Sequence, residues 1–269
     1  MKKCVILIPS YESSADDLMK TIESLPLEHD ILFVDDGSQQ ALEKTLMDIY
    51  SKDEEFYKYN ITILTLSSNQ GIEKALAAGI KSVATNYEYI ARMDVGDVCK
   101  EGKIDKQIFF LENNTDYVIV GTWADFINNK GDLLFTSQLP TDDITIRKKM
   151  FINNMFVHPS VVMRSSAVLK AGNYSDKFKA CEDYDLFFRL LNIGKGHNLP
   201  ISLLNYEVSP GSISSVKRNI QVINRIRIIL KNFRFIEYGF YPYYGLFRNL
   251  VMLLVGRNVT TFARKILGR

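Results

Sequence analysis

Over the first hundred residues, short β-branched runs alternate with segments whose apolar residues recur at helical spacing, and this alternation sets the fold class. Residues 5–8, 31–35, 61–64 and 89–93 read as strands, and 16–25, 41–50 and 72–85 between them read as helices. A strand that passes through a helix before the next strand returns to its sheet as a parallel neighbour. The expectation is an α/β chain with a mostly parallel central sheet flanked by helices. A helix at 103–113 and a strand at 117–121 extend the pattern.

In such sheets ligands sit beyond the carboxyl ends of the strands, so the residues that follow each strand are informative. The first strand ends in Pro9-Ser10-Tyr11-Glu12, the second in Asp35-Asp36-Gly37-Ser38, and the fourth in Asp94-Val95-Gly96-Asp97. One aromatic and two acidic clusters therefore meet at one edge. Each cluster alone is also what turns and helix caps place after a strand. Their recurrence at neighbouring strand ends favours a site. No Gly-x-Gly-x-x-Gly follows the first strand, and neither a P-loop nor a Gly-x-Ser-x-Gly elbow occurs. Dinucleotide, P-loop and α/β-hydrolase chemistry lose their main support.

The 269 residues are 46% hydrophobic and 24% charged, which suits a packed globular chain. Cys4, Cys99 and Cys181 lie far apart without Cys-x-x-Cys spacing, against a disulfide framework or zinc site and in keeping with a reducing cytosol. Pro9 ends the first apolar run too early for a signal peptide. The longest apolar run elsewhere, 250–255, is far short of the roughly 20 residues that span a bilayer, so no crossing is expected.

The net charge of +2 conceals an asymmetry. From Lys217 onward there are eleven Lys/Arg and one acid, which leaves 22 basic and 30 acidic residues in 1–216. The tail, 217–269, reads as two helical segments, 218–236 and 245–266, split by a Tyr-rich joint. Lys/Arg interleaved with Ile, Leu and Phe suit a basic amphipathic helix on an anionic membrane surface. The alternative is that these helices pack on the body and merely expose their charges. No nucleic-acid module appears upstream, so no nucleic-acid partner is expected.

Six motifs carry a resemblance. Ile8-Pro9-Ser10-Tyr11, Phe33-Val34-Asp35-Asp36-Gly37-Ser38, Asn69-Gln70-Gly71, Ile90-Ala91-Arg92-Met93-Asp94-Val95-Gly96-Asp97, Val157-His158-Pro159-Ser160-Val161 and Cys181-Glu182-Asp183-Tyr184-Asp185-Leu186 stand in that order. The chain resembles family 2 glycosyltransferases of the GT-A (Rossmann-like) fold, and among them bacterial enzymes that build O-antigen and capsule units on a lipid carrier. The likeness covers residues 3–215 and implies a nucleotide-sugar-binding half at 1–98 and an acceptor-binding half at 99–216.

It also implies roles. Pro9, Tyr11, Glu12, Asp35 and Asp36 are expected around the nucleotide, with Arg92, Asp94 and His158 near the donor. The family's Asp-x-Asp element holds Mn2+ or Mg2+ against the diphosphate. Its common form is Asp-Ala-Asp-Asp, and this chain lacks the middle carboxylate, which leaves Asp94 and Asp97 as the metal candidates. Asp183 matches the general base, and Glu182 a group that orients the acceptor or tunes that base. Asp185 is expected to be structural. One base opposite a leaving diphosphate implies inversion.

By the same likeness the donor is expected to be a UDP-hexose and the acceptor a glycan on undecaprenyl diphosphate. The enzyme would work in the cytoplasm, at the inner face of the bacterial inner membrane. Two other readings stay open here: a nucleotidyltransferase that makes the activated sugar, and a non-catalytic carbohydrate-binding relative.

Overall fold

The computed structural model describes residues 2–51, 53–208 and 218–254. Its first half lays down β1 (Lys2–Ser10), α1 (Ala15–Glu23), β2 (Asp30–Asp35), α2 (Leu42–Tyr50), β3 (Ile61–Thr65), α3 (Ile72–Val83) and β4 (Tyr87–Arg92). There follow β5 (Val98–Cys99), α4 (Lys103–Asn113), β6 (Tyr117–Ile127), β7 (Leu133–Ser137), α5 (Asp143–Met150), β8 (Val162–Arg164), α6 (Ser165–Ala171), α7 (Glu182–Leu191) and β9 (Lys195–Glu207). Two further helices, α8 (Arg218–Lys231) and α9 (Tyr241–Leu254), complete the described chain.

The nine strands among the described residues share one sheet, ordered β3-β2-β1-β4-β8-β6-β9-β5, with β7 added on β6. The segment β3-β2-β1-β4 is wholly parallel, as the strand–helix alternation requires. Beyond β4 the sheet is mixed: β8 pairs antiparallel with β4 and β6, whereas β9 runs parallel to β6.

Of the parallel strands, β1, β2 and β4 are buried on both faces, whereas β3, at the sheet edge, is half-buried. In β1, Cys4, Ile6 and Ile8 join α1, α2 and α4 in one apolar cluster, while Val5 and Leu7 join α3 and α7 in the other. A continuous apolar run is what two-sided burial asks of a strand. Residues Ile228 and Ile229 of α8 belong to the second cluster, so α8 packs on the body through its apolar face.

The predicted helix at 218–236 stops at Lys231, and the second begins at Tyr241 rather than 245. Pro242 does not break α9, because it falls in the first turn, where its missing N–H has no helical partner to lose. The remainder of the predicted 245–266 helix, beyond Leu254, lies outside the described residues.

Candidate active site

Strand register brings the motif-bearing ends level. Ser10 of β1 pairs with Asp35 of β2, and Leu7 pairs with Arg92 of β4. The Pro9–Tyr11, Asp36 and Asp94–Asp97 segments therefore meet at one sheet edge, around a cleft of about 660 Å³. Pro9, Tyr11, Asp36, Asp94 and Asp97 all line it.

The two aspartates after β2 divide the work. Asp35 is fully buried, and its oxygens accept the backbone N–H groups of Ser38 (3.0 Å) and Leu42 (3.2 Å). It shapes the loop and starts α2. Asp36 faces the cleft and accepts the N–H groups of Gln70 and Gly71, both at 2.8 Å, fastening the turn before α3. Four lone-pair sites on a carboxylate leave Asp36 acceptor capacity for a ligand. Glu12 lies outside the lining; it joins two loops, its N–H donating to Ser38 Oγ and its Oε1 accepting from Gln39 N.

The turn after β4 is anchored on α1. Thr21 Oγ1 accepts the N–H of Gly96 at 2.8 Å and donates to the carbonyl of Asp97 at 3.1 Å. Asp94 forms an ion pair with Arg92, whose side chain is fully buried behind the cleft. Asp97 Oδ1 accepts the N–H of Glu207, while its buried Oδ2 has no partner among the described residues. Burial, then the neighbouring Asp94 charge, push the Asp97 carboxyl well above the usual carboxylate range. An orphaned carboxylate oxygen beside a second carboxylate on a cleft is what a hard cation with few protein ligands needs. No group of three or more His, Cys, Asp or Glu suited to a metal occurs among the described residues, so such a cation would take its other ligands from substrate and water.

The acidic pair sits at the start of α7, where the helix dipole favours negative charge. Burial, then Asp183, push Glu182 up to about 8, and Glu182 Oε2 finds no hydrogen-bond partner among the described residues. Burial also raises Asp183, although Tyr184 N–H (2.7 Å) and Asn154 Nδ2 (2.8 Å) donate to its oxygens. Neither lines the cleft itself, but Lys179 and Ala180 just ahead of them do. On the cleft wall, burial, followed by the nearby Asp94 and Asp97 charges, pushes the Tyr206 hydroxyl up to about 12.

His158 lies behind the site. Its Nε2 is 2.7 Å from the Tyr174 hydroxyl, and burial, followed by Arg92, holds its pKa well below the ordinary value. It is a neutral packing and hydrogen-bonding partner in this geometry. Asp185 is buried and paired with Arg189 (2.8 Å) and Lys231 (2.9 Å), the structural part expected of it.

The sequence reading missed Glu73, Lys179, Tyr206 and Glu207, which also line the cleft. Tyr206 and Glu207 close β9, and the strand-end rule that found Asp36 and Asp94 points to them once β9 is recognised. The segment holding Lys179 is fixed from the tail. Asn224 Nδ2 of α8 donates to the carbonyl of Lys179 at 2.9 Å, and Gln221 Nε2 to that of Ala180 at 3.2 Å. Ala180 has a positive φ of 60°, a strained conformation for a residue with a Cβ.

Comparison with known proteins bears on the family and the fold. The family model described as "Glycosyl transferase family 2" matches residues 5–172. The amylovoran biosynthesis glycosyltransferase AmsE of Erwinia amylovora is 29% identical over 184 residues, covering 66% of this chain and 67% of that protein. The O-antigen biosynthesis glycosyltransferase WbnJ of Escherichia coli is 34% identical over 125 residues, covering 45% and 48%. The chain thus spans between about half and two thirds of these relatives. The structure of the mannosyltransferase PcManGT from Pyrobaculum calidifontis, in complex with GDP-Man and Mn2+, superposes with a TM-score of 0.65 at 9% identity. That match covers 99% of this chain and 79% of the other, and shows a shared GT-A fold.

Proposed function

The chain belongs to glycosyl transferase family 2, and from that premise we propose that it moves a hexose from a UDP-sugar, with inversion, to a hydroxyl of a lipid-diphosphate-linked glycan. Membership favours sugar transfer over the nucleotidyltransferase reading, and turnover in the test below separates it from a non-catalytic relative. The observation that carries the reading is the meeting of Asp36, Asp94 and Asp97 on one cleft, with the Glu182–Asp183 pair two to four residues along the chain from the cleft-lining Lys179 and Ala180.

Residues 1–98 supply the donor side in this reading, and 99–216 the acceptor side. Tyr11, half exposed, offers its ring to the base, and Asp36 with Pro9 frames the nucleoside. Asp94 and Asp97 would hold Mn2+ or Mg2+. When bound, such a cation neutralises the charge of the departing diphosphate. Arg92 holds Asp94 in place from below, and His158 with Tyr174 fills the space behind it.

Asp183 accepts the proton of the attacking hydroxyl. A carboxylate in a desolvated setting is a stronger base than one in water, because burial disfavours its charged form. Glu182, largely protonated near neutrality, keeps a second negative charge from the pair and can donate a hydrogen bond to the acceptor.

The tail supports work at a membrane surface. Phe235, Ile236, Phe240 and Phe247 are 65–91% exposed, beside the Lys/Arg of α8. No helix among the described residues is long and apolar enough to cross a membrane. Attachment to the inner face of the bacterial inner membrane would bring the cleft to a lipid-linked acceptor.

The test is a panel of nucleotide-sugars offered with Mn2+ and a soluble lipid-diphosphate acceptor mimic, with the product anomer read by NMR. The expected product from an α-linked UDP-hexose is a β-glycoside. An α-linked product would contradict inversion, and the absence of transfer from every donor would contradict the whole reading.

A further inference from the structure

A second cavity, of about 450 Å³, opens at the end of α7 away from the acidic pair and shares no lining residue with the first cleft. α7 itself is roughly 15 Å long, with the acidic pair at one end and this cavity at the other. Its walls set Arg147, Arg189, Lys231 and Arg234 against the rings of Phe188 and Tyr238, and no carboxylate lines it among the described residues.

The four cations are not equally engaged. Arg147 is spent: its guanidinium pairs with Asp143 and donates to the carbonyls of Leu191 and Gly194, the latter at 2.7 Å, which quiets the exposed end of α7. Arg189 and Lys231 share the single carboxylate of Asp185. Arg189 also donates to the Ala171 carbonyl, and its buried Nη2 has no hydrogen-bond partner among the described residues. Arg234 meets Glu237 at 3.2 Å, with both side chains more than half exposed, a pair that contributes little in water. Lys231, Arg189 and Arg234 thus keep donors for an anion, and cations outnumber their acidic partners by one.

The rim shows which anion. Arg234 and Tyr238 belong to the link 232–240 between α8 and α9, and the same link carries Phe235 and Ile236, 76% and 91% exposed. Apolar side chains that protrude beside a cationic cavity match a molecule with a phosphate next to hydrocarbon.

We propose that this cavity takes the phosphate of an anionic glycerophospholipid, with the 232–240 link lying among the acyl chains beside it. The proposal rests on the membrane reading given above and adds a specific site to it.

The experiment uses the full chain and two probes. Dihexanoylphosphatidylglycerol below its micelle concentration has no membrane surface potential, so only a built site binds it. Vesicles of phosphatidylcholine with 30% phosphatidylglycerol report membrane attachment in general. The cavity variant is Lys231→Gln/Arg234→Gln. The control is Lys148→Gln/Lys149→Gln on α5, an equal loss of charge outside the cavity lining.

Wild type and control should bind the short-chain lipid saturably, and the cavity variant roughly tenfold or more weakly. Inorganic phosphate should bind more weakly than the lipid. Equal losses in the two variants, or phosphate binding as tight as the lipid's, would overturn the site while vesicle attachment stood. A wild type that binds neither probe would remove the membrane reading as well. Thermal melts of both variants confirm that each is folded, and Arg234→Gln alone, which leaves Asp185 fully paired, repeats the comparison if the double variant is not.

Discussion

The backbone N–H of Glu207 donates to Asp97 Oδ1 at 3.1 Å, joining the last residue of β9 to the turn after β4 across 110 positions of sequence. That bond orients the carboxylate and leaves Oδ2 buried without a partner among the described residues.

Asp97→Asn keeps an acceptor for Glu207 and removes the anionic oxygen. Calorimetric titration with UDP should show Mn2+ tightening binding to the wild type by about tenfold, and to the variant by less than about twofold. The melting temperature should hold or rise, since a desolvated acid gives way to a neutral amide. Equal Mn2+ enhancement in both proteins would take Asp97 out of the metal site.

Glu182 gives the protein a pH signature. The unfolded chain releases this proton near 4.5, whereas the folded chain keeps it up to about 8. Between those values the folded state binds more protons, so the contribution of Glu182 to stability is full below about 4.5 and is lost as pH rises toward 8. Glu182→Gln should flatten the decline of stability from pH 5 to 8, so that its advantage over the wild type grows as pH rises toward 8. Parallel urea-melt profiles for the two proteins would contradict the burial of this acid.

Gly37, in the motif after β2, has φ +72°, and a Cβ there would lie 2.3 Å from the Ser68 carbonyl carbon. The obstacle is backbone and cannot swing aside. Gly37→Ala should cost about 3 kcal/mol or more in chemical denaturation and weaken nucleotide binding with it.

Asn224 acts on the site from α8. Asn224→Ala releases the Lys179 carbonyl and loosens the turn that leads into Glu182 and Asp183. Turnover should fall by roughly tenfold while the donor KM stays within about twofold, at a stability cost of about 1 kcal/mol. A rise in donor KM with unchanged kcat would instead place this turn on the donor side alone.

The first half of the chain was legible because its signals are local. Strands β1, β2 and β4 are short runs with apolar residues on both faces, and Pro9, Asp35 and Asp94 mark where they end. The acidic pair was legible as two adjacent carboxylates at a helix start. The second half was not. β9 contains Gly196 and Pro200 and changes register against β6, so no clean alternation announces its thirteen residues or the Tyr206–Glu207 end. β8 has only three residues and owes its place to neighbours on both sides. Nor does spacing reveal that Asp35 turns inward while Asp36 faces the cleft, since the N–H groups of Ser38, Leu42, Gln70 and Gly71 decide that.

The role of Asp183 is the most direct point of test. In Asp183→Asn, single-turnover transfer from UDP-hexose should fall by about 10²- to 10⁴-fold while UDP-sugar affinity, measured by calorimetry with Mn2+, stays within about twofold. Transfer within about threefold of the wild type would show that another group takes the proton, and the convergence of acids at this cleft would lose its catalytic meaning.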